Sequence, residues 1–330
     1  MTPLERSRLV KQWALDAGFD ACGVAAAEPI GRTDYLRAWL ASERAGSMHY
    51  LRKHVSIRED PRTLLSGSRS IIVTALSYHQ PSPESSNLST EGQDDVPHGR
   101  VAMYAWGEDY HVVLRRKLET LIERLRAALS EPFEARVCVD TAPLLEREVA
   151  ARAGVGWIGK NTLVLNAALG SYFFLGSIVT TLELAADEPS EDHCGTCRAC
   201  LDACPTNAFP AAYEMDASRC ISYLTIEHRG DIDPSLQPLM GDWLFGCDVC
   251  QEVCPHNRKA TTTTEPAFTV RSPAPSISTD EIRTWTEDDY RAHLRGSAMK
   301  RAKLSMLNRN ADIVARNESA STQRDRESNS

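Results

Sequence analysis

The 330-residue chain has no uninterrupted apolar run of the roughly eighteen or more residues that a membrane-spanning helix needs. Its opening, Met1-Thr-Pro-Leu-Glu-Arg-Ser-Arg-Leu-Val10, lacks the apolar core of a secretory signal and the paired arginines of an export signal. A cytoplasmic protein with no membrane partner is therefore expected. Basic charge is in the minority, with 37 Lys and Arg against 45 Asp and Glu and a net charge of −8. This argues against a coat that holds nucleic acid by overall charge, and leaves a local basic patch open. Histidine is sparse, and no two stand at His-x3-His spacing. His49, His54, His111, His193, His228 and His256 are each read as surface residues or satisfied core residues.

Cysteine is not lacking. Ten are present, and Cys194-Gly-Thr-Cys197-Arg-Ala-Cys200-Leu-Asp-Ala-Cys204-Pro205 has the C-x2-C-x2-C-x3-C-P spacing of bacterial ferredoxins. A second run, Cys247-Asp-Val-Cys250-Gln-Glu-Val-Cys254-Pro255, repeats the last three positions. Its first position falls on Leu244, which cannot ligate iron, and Cys220 upstream fills the slot. The count closes at two [4Fe-4S] clusters. In two-cluster proteins the fourth Cys of each run serves the other cluster. Cluster one then takes Cys194, Cys197, Cys200 and Cys254, and cluster two takes Cys204, Cys220, Cys247 and Cys250. Zinc would need four ligands and leave thiols idle. Disulfides suit short secreted chains, which this is not.

At 42% hydrophobic residues the chain supports a packed core and about two domains. Residues 4–17 read as an amphipathic helix stopped by Gly18, and residues 19–25 as a strand. A second helical stretch is expected from Ile30 to Leu51. The run 70–78 is apolar almost throughout, as in a strand buried on both faces. Residues 79–98 are rich in Pro, Ser and acid and read as a surface loop. Val101 to Trp106 suggests a strand. The spacing of Val113, Leu114, Leu118, Leu121, Ile122, Leu125 and Leu129 predicts a helix over 110–130. A strand over 133–140 leads to a helix over 141–153, and strands follow at 162–165 and 171–184. This alternation suggests an α/β layer domain. The expected division is 1–187 for that domain, 188–260 for the clusters, 261–316 for a helical segment with a basic run, and 317–330 for a disordered tail.

Asp140 stands where a strand hands over to a helix. From position, the favoured reading is an N-cap accepting the first free N–H groups; the second is a carboxylate facing a ligand. An acid that donates a proton would want an apolar pocket to raise its pKa. Gly154-x-Gly156-x-x-Gly159 has the letters of a dinucleotide fingerprint without the βαβ context, so it reads as a tight turn allowing close backbone approach. Cys22 and Cys138 read as buried and inert. The basic run 291–309 could meet phosphates or simply be a solvated helix face.

The chain resembles the epoxyqueuosine reductase family. The resemblance spans about residues 5–316 and rests on Asp60-Pro-Arg62, Tyr104-Ala-Trp-Gly107-Glu-Asp109-Tyr-His111, Val139-Asp-Thr-Ala-Pro143, Arg152-Ala-Gly-Val-Gly156-Trp-Ile-Gly-Lys160-Asn-Thr162, both cysteine runs and Gly296-Ser-Ala-Met-Lys-Arg301. It implies an α/β (α+β), nitroreductase-like cobalamin-binding domain joined to a di-cluster ferredoxin-like domain. It implies that electrons from an external donor pass through the clusters to cobalamin, and that epoxyqueuosine at tRNA position 34 becomes queuosine. On this resemblance Asp140 is the general acid, kept protonated by an apolar pocket. Arg58, Ala102, Asp140, Val164, Leu175 and Ile221 contact cobalamin, and Arg147 and His228 contact tRNA. Met103 departs from a position often basic in relatives. A monomer is expected. Two other readings are a cobalamin-dependent reductive dehalogenase and a plain electron-transfer ferredoxin with an adaptor domain.

Overall fold

The computed structural model describes residues 1–81 and 96–328. The middle of the segment read as a surface loop, 82–95, lies outside the described residues. Helix α1 (Pro3–Asp16) begins at a capping box: the Thr2 hydroxyl accepts the Glu5 N–H, and the Glu5 carboxylate accepts the Thr2 N–H. Strand β1 (Ala21–Ala26) follows. The stretch from Ile30 to Leu51 is not one helix. It breaks into α2 (Thr33–Ala41) and α3 (Tyr50–Lys53), with α4 (Val55–Glu59) just beyond. The break has a backbone cause, since Glu43 and Gly46 take φ of 59° and 55°, which a helix cannot continue.

Strand β2 (Ser70–Ser77) is buried at every residue. β3 (His98–Val101) stops before the strand expected over 101–106, because the chain turns into a 3₁₀ segment at Met103–Ala105. There the Ala102 N–H donates to Phe245 O at 2.8 Å and the Met103 N–H to Asp248 Oδ2 at 2.7 Å, which pulls the backbone off a straight course. Helix α5 (Tyr110–Ala128) buries Val113, Leu114, Leu118, Leu121, Ile122 and Leu125 along one stripe. β4 (Ala135–Cys138), α6 (Glu146–Arg152), β5 (Trp157–Ile158), β6 (Val164–Leu165) and β7 (Phe173–Thr180) complete this half.

The main sheet has the order β1-β2-β7-β4, and every pairing in it is antiparallel. The alternation of helices and strands therefore does not build βαβ units, and the layer is α+β. β2 is apolar on both faces because both are covered. Ile72 and Leu76 face the core shared with α1 and α5, while Ile71, Val73 and Ala75 face the core shared with α6.

The remainder contains α7 (Ala199–Asp202), α8 (Ile221–Ile226), β8 (Trp243–Phe245), α9 (Val249–Glu252), β9 (Ser276–Ser278), α10 (Thr279–Thr284), α11 (Glu287–His293) and α12 (Leu304–Ser328). A second sheet, β8-β3-β9, takes one strand from each of the three expected segments, with β3 in the middle. The segments are thus interlocked rather than strung in series. A buried polar network holds them as well. Asn257 Oδ1 accepts the Ser171 N–H at 2.7 Å, Asn257 Nδ2 donates to Gln251 O at 2.7 Å, and Gln251 Nε2 donates to Ser171 O at 3.1 Å. Helix α12 runs through the segment expected to be frayed, and Asn317 Nδ2 there donates to Gln237 O and Gly241 O at 2.9 Å each.

Candidate redox and catalytic site

The cysteines gather into two sets. Cys200 has Cys254, Cys194 and Cys197 as charged neighbours. Cys247 has Cys220 and Cys204, and Cys250 has Cys220 and Cys247. Cys250 also has Cys200 within reach, so the two sets adjoin. All ten cysteines are free thiols. Among the described residues, no three His, Cys, Asp or Glu side chains converge as a single-metal site would require. The first set spans two stretches of chain and the second three, with Cys200 in short helix α7 and Cys250 in short helix α9. Cys22 and Cys138 stand apart on β1 and β4, where burial pushes their thiols up to about 12 and about 11.

The glycine-rich turn is the wall of the first quartet. A Cβ on Gly156 would lie 2.2 Å from Leu165 O and one on Gly159 2.1 Å from Leu165 Cδ1, with Cys194 Sγ 3.6 Å away. Only glycine lets the turn lie this close. Trp157 packs with Cys254 and Cys194. His193 and His256, expected as bland residues, stand edge-on to the Trp157 ring at 4.9 and 5.0 Å between centroids. Asn161 Nδ2 donates to Cys250 O at 3.4 Å, so the same turn also touches the second quartet.

Asp140 is not an N-cap. The helix behind it begins only at Glu146, with Leu145 at the cap position. Asp140 takes φ of 52°, and its own N–H donates to Glu146 Oε1 at 3.0 Å. Its carboxylate faces His111, with Oδ2 at 3.3 Å from Nε2, and the other ring nitrogen of His111 stands 2.7 Å from Asp109 Oδ1. Asp109 is the N-cap of α5, accepting the His111 N–H, so that cap also aims the imidazole.

Among the described residues, Asp140 does not lie in the apolar pocket expected for it. Its side chain is 61% exposed and paired with an imidazole. The His111 hydrogen bond holds the Asp140 carboxyl below the ordinary aspartate range. Burial pushes His111 down, but hydrogen bonds to Asp109 and Asp140 outweigh it and lift the imidazole to about 9. The transferable proton at neutral pH therefore sits on His111. Half-buried Glu146 is lifted to about 8 by burial and by the Asp140 charge.

Around this pair stand residues to which the sequence reading gave no individual role. Tyr50, Tyr104, Tyr110 and Arg301 all lie within electrostatic reach of Asp140. Arg301 forms a two-pronged contact with Glu227, at 2.6 and 2.9 Å, and stands 5.8 Å from the Tyr50 ring centre. His228, next to Glu227, hydrogen-bonds Asp231 O through Nε2 at 2.8 Å. On another side Arg147 donates to Thr162 O at 2.7 Å. The basic run 291–309 is not one face. Arg291 pairs with Asp288, Arg301 turns to Glu227, and Arg309 is spent on the Leu224 and His228 carbonyls at 2.8 and 2.9 Å.

The positions other than Asp140 expected to hold cobalamin fall into three places. Arg58 is half-buried, and its Nε has no hydrogen-bond partner among the described residues. Ala102 and Ile221 share an apolar cluster with Cys220 and Cys247. Val164 and Leu175 lie in the core under β2 and α6. A buried unpartnered guanidinium N–H and apolar backing beside Cys220 and Cys247 fit a large amide-fringed macrocycle. Met103, at the departing position, offers its thioether to the Gln80 N–H at 3.3 Å.

A double-cluster domain locked to a helix-covered antiparallel sheet, with a titratable carboxylate–imidazole pair, defines an iron–sulfur oxidoreductase. Residues 193–257 match the model described as a 4Fe-4S double cluster binding domain. Residues 58–141 match that described as Epoxyqueuosine reductase QueG, DUF1730. An epoxyqueuosine reductase of Xanthomonas campestris pv. campestris is 39% identical over 303 residues, covering 91% of this chain and 83% of that protein. The structure of the Bacillus subtilis epoxyqueuosine reductase superposes with a TM-score of 0.86 at 26% identity, covering 95% of this chain and 82% of that one. An epoxyqueuosine reductase solved with an epoxyqueuosine-modified tRNA stem loop gives 0.83 at 28%, covering 95% and 81%. A reductive dehalogenase shares the fold alone, at TM-score 0.51 and 15% identity, with 97% of this chain and 37% of that one covered. The chain belongs to the epoxyqueuosine reductase family.

Proposed function

We propose that this chain reduces epoxyqueuosine to queuosine at tRNA position 34, taking electrons from an external donor through two [4Fe-4S] clusters and using cobalamin. The observation that carries this reading is the Asp140–His111 pair standing in one fold with two cysteine quartets, in a chain of this family. Cys194, Cys197, Cys200 and Cys254 would hold one cluster; Cys204, Cys220, Cys247 and Cys250 would hold the other. Arg58, Ala102, Asp140, Val164, Leu175 and Ile221 would hold cobalamin, which supplies a strongly nucleophilic reduced metal for opening the epoxide.

Converting the epoxide to an alkene consumes two electrons and two protons and releases water. Asp140 is the proton donor at the oxygen that leaves. Because Asp140 is held ionised at rest, each proton it passes on comes from His111, and Asp109 keeps the imidazole turned toward it. Tyr50, with Arg301 beside it, offers an aromatic face and a cation of the kind that grips an unstacked base and its phosphate. Arg147 and His228 would add further contacts to the tRNA. Mass spectrometry of tRNA nucleosides, before and after incubation with reconstituted protein and a reductant, tests the reading. Epoxyqueuosine should convert to queuosine. Unchanged epoxyqueuosine with both clusters and cobalamin in place would sink it.

A further inference from the structure

The turn that walls the first cysteine quartet carries two groups the catalytic reading does not use. Trp157 is 4% exposed, and its Nε1 has no hydrogen-bond partner among the described residues. A buried unpaired donor costs about 1–3 kcal/mol, so its retention calls for an acceptor. The ring packs against Cys194 and Cys254, and its N–H faces the Cys194 sulfur. Three residues on, Lys160 Nζ is not free in solvent. It donates to Gly195 O at 2.5 Å and to Cys197 O at 2.8 Å, inside the loop 194–200 that carries three thiols of this quartet. The Lys160 backbone N–H also faces the Cys194 sulfur. The counter-charge is Asp192, which accepts the Cys194 N–H at 2.7 Å and also holds the Tyr213 hydroxyl.

Reducing a cubane by one electron adds one negative charge. Hydrogen bonds to its sulfurs and nearby positive charge stabilise the reduced form and raise the potential. We propose that Trp157 and Lys160 set the reduction potential of cluster one, Trp157 as an N–H donor to its sulfur and Lys160 as a fixed cation on its binding loop. Both come from the sheet domain, so the catalytic half of the molecule tunes one of the two clusters. Since Asn161 on the same turn reaches only a backbone carbonyl of the second quartet, cluster two is left untuned by it. The proposal rests on the ligand assignment made above.

The test is a redox titration of the full reconstituted chain with dithionite, following each cluster by electron paramagnetic resonance, with iron counted in every sample. Trp157→Phe and Lys160→Met should each shift the reduction equilibrium of one cluster at least tenfold toward the oxidised form. That is a fall of about 59 mV for one electron. The other cluster should keep its midpoint, and Lys160→Arg should restore the parent value. Fully loaded variants with both midpoints unchanged would overturn the proposal. So would variants that lose the iron of one cluster, since that makes the turn a structural wall only. A parent chain holding fewer than two clusters would instead break the ligand assignment, and this proposal with it.

Discussion

Replacing His111 tests where the proton for the reaction is stored. His111→Gln keeps a polar group that can donate to Asp140 but cannot carry a titratable proton. In the parent, the folded imidazole titrates near 9 rather than 6.5, a shift worth roughly 3 kcal/mol of differential interaction. Because the folded value is raised, the stability it brings is fully present below about pH 6.5 and is lost as pH rises through about 9. The same pair sets the chemistry. Single-turnover conversion of epoxyqueuosine tRNA by pre-reduced enzyme should hold steady from pH 6 to about 8 and fall above about 9. His111→Gln should slow turnover about 100-fold or more, the usual scale for a positioned proton donor, and should remove the alkaline fall. Its denaturant midpoint should lack the downward slope between pH 7 and 9 that is expected of the parent. A variant with the parent's rate and the parent's pH profile, at equal cofactor content, would refute the reasoning.

Four further outcomes are expected. Asp140→Asn should abolish turnover with cluster and cobalamin content intact; surviving turnover, measured on nucleosides, removes Asp140 from its role. Cys220→Ala should halve the iron of the anaerobically reconstituted protein, and retention of about eight irons would place the fourth ligand of cluster two elsewhere. Asn257→Ala strands the buried Ser171 N–H and Gln251 carbonyl. It should cost about 2–5 kcal/mol in denaturant unfolding, and a loss under 1 kcal/mol would mean the network is not what joins the two halves. Glu146 is an acid whose folded value is raised to about 8, so its cost grows as pH rises above about 4.5 and is complete above about 8. Glu146→Gln should therefore stabilise the protein by roughly 2 kcal/mol at pH 8, after discounting for partial exposure, and hardly at all at pH 4; equal midpoints to the parent at both would contradict this.

What could be read from the chain was what is local along it. Thiol spacing, the apolar run of β2 and the three-and-four periodicity of α5 depend only on near neighbours, and the structure contains both elements and brings thiols of the two runs near one another. What escaped depends on contacts between distant stretches. β2 pairs with β7 about a hundred residues later, so the antiparallel sense of the sheet has no local signature. His111 meets Asp140 across 29 positions, and alone it looks like any other histidine. One clue was present: Asp109 two residues before His111, at the start of a strongly periodic helix, marks a cap able to orient an imidazole. The helix expected from Thr141 starts five residues late, as Asp140 turns to positive φ and its N–H finds the Glu146 side chain. The basic run misled because charge in sequence does not reveal direction: Arg309 points inward to carbonyls while Arg301 points to the site.

The placement of α12 bears on how the cofactors enter. Ile313 of this last helix belongs to the apolar shell that includes Ile221, Cys220 and Cys247, and Asn310 bridges Thr225 O and Leu244 O at 3.0 and 2.9 Å. The apolar shell around Cys220 and Cys247 therefore stays open until residues about ninety positions further along have been made and have docked. A chain cut before α12 is expected to leave those two thiols more accessible to oxidants than the parent does.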